Sequence, residues 1–173
     1  MSDFTDTGAA PAPSLSLQVL AKRAIARDIT LFELAAPDGG ALPAFEAGAH
    51  IAVTTPNGLL RRYSLCNPPS ERHRYLIAVQ RDEAGQGGSK SMVDELAAGD
   101  TVAVSAPLNY FPLAPQAAHT LLLAGGIGIT PLLSMVHELQ ARQADFQLIY
   151  CARFPENTAF LDQLATPELA DKV

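Results

Sequence analysis

The chain has only two cysteines, Cys66 and Cys151, and no long run of lysine and arginine. Two cysteines provide neither a disulfide framework nor the ligands of a metal cluster, so no metal site is expected and both cysteines are predicted to be buried and unpaired. The formal net charge is −6. A chain of this charge that lacks a basic run is not expected to bind nucleic acid or an anionic membrane surface as its main partner.

Charged side chains are also missing between Asp100 and Glu138. The prolines and the glycine pair in this stretch divide it into pieces much shorter than the roughly 20 apolar residues that a membrane-spanning helix needs. The first 14 residues contain neither the basic nor the apolar segment of a secretory signal. We therefore expect a cytoplasmic protein with no membrane association, and we expect residues 1–13 to be disordered.

Residues 14–113 have the pattern of a small antiparallel β-barrel. Alternating or β-branched segments separated by turn signals predict six short strands, at residues 15–20, 29–34, 51–55, 59–65, 75–80 and 101–105. The sequence PNG at residues 56–58 predicts a hairpin between the third and fourth strands. A single short helix is predicted at residues 92–96, with Ser91 and Asp94 as a capping box and Gly99 as its C-terminal stop.

Residues 114–173 have a different periodicity. The apolar run at residues 120–124 predicts a strand that is buried on both faces of a parallel sheet. Thr130 is placed to cap a helix that has Pro131 as its first residue, and a strand at 146–151 and a helix at 158–164 follow. The fold class is therefore mainly β and then α/β, with a βαβα segment that begins a doubly wound nucleotide-binding domain.

Five of the nine arginines fall within 21 residues, 61–81, that contain one acidic residue, Glu71. This window has a charge of +4 while the rest of the chain has −10. A basic patch in an acidic protein indicates an anionic ligand, most simply a phosphate. The alternative is that these arginines face solvent on barrel strands. The five are Arg61, Arg62, Arg72, Arg74 and Arg81.

Two glycine-rich segments follow predicted strands. The first, GQGGSKS at residues 85–91, is not a phosphate loop of the ATPase type, because Ala84 and Ser89 stand where glycines are required. It remains suited to holding a phosphate at a helix N-terminus, and the alternative is a flexible hairpin loop. The second, GGIGITP at residues 125–131, permits a tight turn and close backbone approach, although Pro131 replaces the third glycine of the usual dinucleotide motif.

Three segments in this order, RRYSL at 61–65, GGS at 87–89 and GGIGITP at 125–131, resemble the flavin and pyridine-nucleotide motifs of the ferredoxin-NADP reductase superfamily. Three more resemble its phthalate dioxygenase reductase branch, which includes the vanillate O-demethylase reductases: AV at 78–79, NYFPL at 109–113 and YCAR at 150–153. The resemblance covers roughly residues 14–173.

The resemblance implies roles for individual residues. Arg61 would bind the flavin phosphate, Tyr63 would pack on the isoalloxazine ring, and Ser64, the catalytic candidate, would lie near flavin N5, where hydride arrives. The remaining flavin-binding candidates are Ala78, Val79, Gly87, Gly88, Ser89 and Lys90, with Lys90 as a second cation for the phosphate. The implied flavin is FMN, with FAD as the alternative.

The same resemblance places the pyridine nucleotide along Gly126, Gly128 and Thr130. Arg153 would suit a 2′-phosphate, but the branch typically prefers NADH although it has a similar arginine, so NADH is expected and NADPH is the alternative. Hydride transfer to a flavin needs no proton donor. His50 and His119 are therefore expected to be structural.

The implied function is that of an NADH-dependent flavin oxidoreductase. It would take hydride onto FMN and pass single electrons through a [2Fe-2S] centre to a terminal oxygenase that hydroxylates or demethylates an aromatic acid. Only two predicted strands follow residue 113, and the Cys-Gly-Pro motif and four cysteine ligands of the family are missing from the sequence. We therefore expect an incomplete nucleotide domain, with the [2Fe-2S] domain downstream. The alternatives are a truncated flavin-binding or regulatory module and a flavin reductase without an iron-sulfur partner.

Overall fold

The computed structural model describes residues 15–173, and its first six strands and first helix form one unit. The segment predicted to be disordered, residues 1–13, lies outside the described residues. In chain order the elements are β1 (Leu15–Ala26), β2 (Ile29–Ala35), β3 (His50–Thr54), β4 (Leu60–Ser64), β5 (Tyr75–Gln80), α1 (Gly88–Glu95) and β6 (Thr101–Val104).

The six strands form one antiparallel sheet in the order β4-β3-β6-β1-β2-β5. The sheet curls until its outer strands meet, where an isolated bridge joins Leu65, just after β4, to Ile77 of β5. Alternate side chains, among them Val19, Phe32 and Ile51, point inward and are fully buried. The predicted six-stranded antiparallel barrel is confirmed.

The hairpin between β3 and β4 closes through a three-residue loop at positions 56–58. The Thr55 amide donates to the Leu59 carbonyl at 2.8 Å, and the Gly58 amide donates to the Thr55 carbonyl at 2.8 Å. Gly58 has φ +81°, whereas Asn57 keeps an ordinary negative φ. A turn followed by a left-handed glycine is a common three-residue hairpin loop, and the predicted hairpin is confirmed.

Helix α1 begins four residues earlier than predicted, and the predicted capping box is wrong. Ser91 lies inside the helix and its hydroxyl donates to the Gly88 carbonyl at 3.0 Å, while Asp94 accepts two hydrogen bonds from Arg81, each 2.9 Å long. The helix starts after Gly87, which has φ +89°. Gly99 is also not the stop, because the helix ends at Glu95 and the intervening residues are extended or in a turn.

The second unit is a two-stranded parallel sheet with a helix packed on it. Its elements are β7 (Thr120–Gly125), a 3₁₀ turn (Gly126–Gly128), α2 (Ile129–Ala141), β8 (Phe146–Cys151), a second 3₁₀ turn (Pro155–Asn157) and α3 (Leu161–Leu164). Strands β7 and β8 pair in parallel along their whole length. The predicted βαβα order is confirmed, although the last helix is shorter than expected.

Two local predictions for this unit are wrong. Strand β7 is buried on one face only, because α2 covers that face while Leu121 and Leu123 are 52% and 66% exposed on the other. Thr130 lies inside α2 and its hydroxyl donates to the Ile127 carbonyl at 3.0 Å, so it does not cap the helix. The 3₁₀ turn extends the helical path backward into the glycines, a geometry that residue preferences do not reveal.

One hydrophobic core joins the two units. Ile29, Leu31 and Ala78 of the barrel belong to the same buried cluster as Leu133 and Val136 of α2. This packing brings Ala78 of β5 into the same cluster as Ile127 of the 3₁₀ turn. The site described next lies at that junction.

Candidate functional site

A cleft of about 620 Å³ separates the barrel from the glycine-rich turn of the second unit. The barrel contributes Tyr63, Ser64 and Ala78 to its lining, and the second unit contributes Gly128 and Thr130. Candidates that are far apart in the sequence therefore meet in one place. The cleft is open to solvent, so a flat ligand could enter between the two units.

Tyr63 and Ser64 occupy the last two positions of β4. Burial raises the pKa of Tyr63 to about 12, and the positive charge of Arg61 opposes this shift only in part. The Tyr63 hydroxyl is buried and has no hydrogen-bond partner among the described residues. An unsatisfied buried hydroxyl is costly, and Tyr63 is at the same time one of the residues that line the cleft.

Arg61 lies against the start of α1. A Cβ built on Gly88 would lie 2.9 Å from Arg61 Nε and 3.0 Å from its Cγ, so a larger residue at position 88 would displace the Arg61 side chain. The guanidinium also donates to the Leu60 carbonyl at 2.8 Å and to Gln86 Oε1 at 2.7 Å. Because α1 has no side-chain cap, its first amides and the guanidinium together form a cradle for an anion.

Ser89 and Lys90 have partners within the loop that precedes α1. The Ser89 hydroxyl accepts a 3.1 Å hydrogen bond from the Asp82 amide. Lys90 Nζ lies 2.9 Å from Glu83 Oε2. Lys90 thus lies at the edge of the cradle and forms an ion pair with the Glu83 carboxylate. This pair weakens the electrostatic attraction of Lys90 for an added anion.

The predicted arginine patch does not form as a unit. Arg72 donates to the Leu42 carbonyl at 2.9 Å, and Arg74 is paired with Glu71 at 2.8 Å. The hydrogen bond from Arg74 also lowers the pKa of Glu71. Arg61 alone joins the anion cradle, while Arg62 and Arg81 line the open cleft. Strand alternation and tight turns separate side chains that are close in sequence.

The side chains of Ala78 and Val79 point to opposite faces of β5, because consecutive residues of a strand alternate in direction. Ala78 lines the cleft, whereas the Val79 side chain is fully buried in the barrel core. The Val79 side chain therefore does not line the cleft.

A second cavity of about 730 Å³ lies at the carboxyl ends of β7 and β8. Its lining includes Gly125, Gly126, Cys151 and Arg153. Ligands of parallel sheets bind at this end of the strands. Cys151 is exposed, so its predicted burial is wrong, whereas Cys66 is buried as expected and burial raises the pKa of its thiol to about 12.

The two histidines that are expected to be structural, His119 and His50, each contact another side chain. His119 Nδ1 lies 2.8 Å from Asp145 Oδ2 at the surface. His50 contacts the ring of Tyr110, with centroids 5.3 Å apart, and burial followed by the charge of Arg62 lowers its pKa. His50 Nε2 is buried without a hydrogen-bond partner among the described residues.

Sequence reasoning missed Gln86 and Glu83, which contact Arg61 and Lys90 at the cradle. The sequence signal for Gln86 and Glu83 is that they lie in or beside the glycine-rich segment at residues 85–91. Within residues 15–173, no group of three or more His, Cys, Asp and Glu side chains is placed to hold a metal ion. No helix in that range has the length and apolar character needed to cross a membrane.

The residues present fit a flavin phosphate. Arg61 packs against Gly88, the first α1 amides have no side-chain cap, and Tyr63 lines the adjoining cleft. A cation, backbone donors and an aromatic ring are the groups that a flavin nucleotide requires.

Comparisons with known proteins identify the family of this chain. Residues 16–112 match the family model described as the oxidoreductase FAD-binding domain. The phthalate dioxygenase reductase of Burkholderia cepacia is 53% identical over 155 residues, which is 89% of this chain and 48% of that protein. The vanillate O-demethylase oxidoreductase of Pseudomonas putida is 51% identical over 155 residues, 90% of this chain and 49% of that protein.

A solved structure of phthalate dioxygenase reductase has the same fold. It is described as a modular structure for electron transfer from pyridine nucleotides to [2Fe-2S], and it superposes with a TM-score of 0.90 at 52% identity. The match covers 92% of this chain and 50% of that one. The chain spans about half the length of the curated relatives it matches.

Proposed function

The chain belongs to the family of oxidoreductase FAD-binding domains, and we propose that it is the flavin-binding part of a cytoplasmic, NADH-dependent reductase. The resemblance to the phthalate dioxygenase reductase branch is confirmed by its relatives. One observation carries the proposal: Tyr63 and Ser64 of the barrel meet Gly128 and Thr130 of the second unit across a single cleft. A flavin there would contact both its own domain and the hydride donor.

We assign the flavin contacts to named side chains. Arg61, Gly88 and the first amides of α1 hold the phosphate, Tyr63 packs on the ring system, and the Ser64 hydroxyl is the hydrogen-bonding group near N5. A bound flavin supplies the ability to accept a hydride and to release electrons singly. The proposed form is FMN, which the branch resemblance supports, while the family model is named for FAD.

The pyridine nucleotide is assigned to the second cavity and to the glycine turn that connects it with the cleft. Gly126 and Gly128 allow the backbone to approach a diphosphate closely, and Arg153 lies at the far side of that cavity. NADH is the proposed donor, supported by the branch resemblance.

The proposed electron acceptor is a [2Fe-2S] centre that in turn serves a terminal oxygenase. The relatives support this, since they are named as reductases of phthalate dioxygenase and vanillate O-demethylase systems, and one is described as transferring electrons to [2Fe-2S]. The aromatic substrate would be bound by the oxygenase. A flavin reductase that releases free reduced flavin is the alternative, and it would reduce added riboflavin without an iron-sulfur protein.

Flavin titration tests the proposal. We expect the purified chain to bind FMN with a perturbed visible spectrum and quenched flavin fluorescence. Combined Arg61→Ala and Ser89→Ala substitution should weaken FMN binding at least tenfold and leave riboflavin binding nearly unchanged, because only FMN has the phosphate. Arg142→Ala, which removes an exposed side chain paired with Glu138, is the control. Equal losses for both ligands, or no binding of any flavin, would refute the assignment.

A further inference from the structure

The β3–β4 hairpin turn lies beside the anion cradle. A Cβ built on Gly87 would lie 3.4 Å from Asn57 Nδ2, so the Asn57 amide group lies next to the residue that precedes α1. The cradle is thus bordered by two side chains of one hairpin. Arg61 lies against Gly88, and Asn57 lies beside Gly87.

Asn57 Oδ1 faces Thr55, which is only 2% exposed. It lies 2.6 Å from the Thr55 hydroxyl, and that hydroxyl also lies 2.8 Å from the Leu59 carbonyl and accepts from the Leu59 amide at 3.1 Å. Asn57 Nδ2 lies on the side of Gly87. An NH₂ group has two donors and no acceptor, so it complements an anion and not a cation.

We propose that Asn57 is a phosphate-binding residue, which donates a hydrogen bond from Nδ2 to the phosphate held at the start of α1. The inference rests on the proposed function and adds a ligand from an element that no motif includes. Three elements then converge on the phosphate: the hairpin turn through Asn57, β4 through Arg61, and α1 through its first amides.

Asn57 is also part of the hairpin turn, so a substitution that tests its role in phosphate binding must preserve that turn. Asn57 precedes the left-handed Gly58, and aspartate is accepted in such turns as readily as asparagine. Asn57→Asp therefore keeps the turn and the hydrogen bond from Thr55, while it replaces the NH₂ group that faces Gly87 by a carboxylate oxygen.

The experiment is a titration of wild type, Asn57→Asp and Asn57→Ala with FMN and with riboflavin, followed by flavin fluorescence at low ionic strength. Removing one hydrogen bond to a charged group should weaken FMN binding by Asn57→Ala about tenfold. Asn57→Asp should weaken it further, because like charges face each other. Riboflavin should bind all three proteins equally. The ³¹P resonance of bound FMN should also move in Asn57→Asp.

Gln147→Ala, an exposed amide on β8 distant from the cradle, is the matched control and should bind FMN as the wild type does. Thermal melting of each variant without ligand identifies any loss of fold, and Thr55→Ser, which keeps the hydroxyl, should preserve FMN affinity. An unchanged ratio of FMN to riboflavin affinity in Asn57→Asp would overturn the inference. If the wild type binds neither flavin, the proposed function fails instead.

Discussion

At the scale of single residues, the site depends on groups whose hydrogen-bonding capacity is incompletely used. The Tyr63 hydroxyl has no partner among the described residues, although Tyr75, which is equally aromatic and fully buried, donates to the Pro43 carbonyl at 2.5 Å. Buried tyrosines normally find such partners. Tyr75 is thus bonded within the barrel, whereas Tyr63 is unbonded and lines the cleft.

These two tyrosines give a prediction for alkaline pH. Burial raises the pKa of Tyr63 and that of Tyr75 to about 12, whereas both ionise near 10 in an unfolded chain. Between pH 10 and 12 the unfolded state has lost protons that the folded state keeps, so the free energy of unfolding should fall as pH rises through this window. Ultraviolet titration of tyrosinate measures both ionisations.

Tyr63→Phe supplies the control, since it should remove one of the ionisations near pH 12 and leave the other. It should also leave the ligand-free fold at least as stable as wild type, because the lost hydroxyl has no partner. Ionisation of every tyrosine near pH 10 in the folded protein would contradict the assignment.

At the scale of elements, α1 is held at both ends, and this positions the phosphate cradle. Its first turn lies against Arg61, and near its C-terminus Lys22 Nζ donates to the carbonyls of Val93 and Leu96 at 2.6 and 2.8 Å. A cation at the carboxyl end of a helix satisfies free carbonyls and complements the helix dipole. Strand β1 therefore anchors the helix that presents the cradle.

Lys22→Met should lower the free energy of unfolding by about 1–2 kcal/mol, since two charge-assisted hydrogen bonds are lost while the apolar stem is retained. For a chain of this size, that corresponds to a melting temperature lower by roughly 2–8 °C. FMN affinity should also decrease, because the start of α1 is less firmly placed. Differential scanning calorimetry and fluorescence titration measure the two effects.

The matched control is Lys172→Met, because Lys172 contacts the ring of Phe146 at 4.9 Å in the second unit and lies outside the barrel. It should leave FMN affinity unchanged. A Lys22→Met protein with wild-type stability would show that β1 does not anchor α1.

At the scale of the whole molecule, the two units share one core, and the cleft lies between them. Leu133 of α2 is 2% exposed and belongs to the cluster that includes Ile29, Leu31 and Ala78 of the barrel. Units joined by such an apolar interface are expected to unfold together. The geometry between Ser64 and Gly128 then depends on packing several residues away from either.

Leu133→Ala should destabilise the protein by about 2–5 kcal/mol, because a large side chain is removed from a packed core. Barrel and second unit should still unfold in one transition, with far-ultraviolet circular dichroism and bound-flavin fluorescence changing at the same denaturant concentration. Leu121→Ala, at an exposed position of β7, should alter stability by less than about 0.5 kcal/mol. Two separated transitions in the wild type would contradict a shared core.

Periodicity and turn chemistry predict the elements well because their causes are local. Strand β5 and strand β8 have the predicted bounds, and the PNG hairpin forms where its glycine permits a positive φ. The sequence predicts the first residues of the helices less well. Ser91 and Thr130 have the chemistry of capping residues, yet both lie inside helices, because glycines before them adopt the helical or left-handed backbone that begins each helix.

The sequence by itself determines the order of strands and helices, the mainly β then α/β class, and the motifs that indicate a flavin and a nucleotide, since each depends on residues close together in the chain. Only the tertiary structure decides which arginine faces the anion cradle, that Val79 points into the barrel while Ala78 lines the cleft, and that Asn57 lies beside Gly87. The physical reason is that side-chain direction depends on strand pairing and on the packing of distant elements, which no local pattern contains.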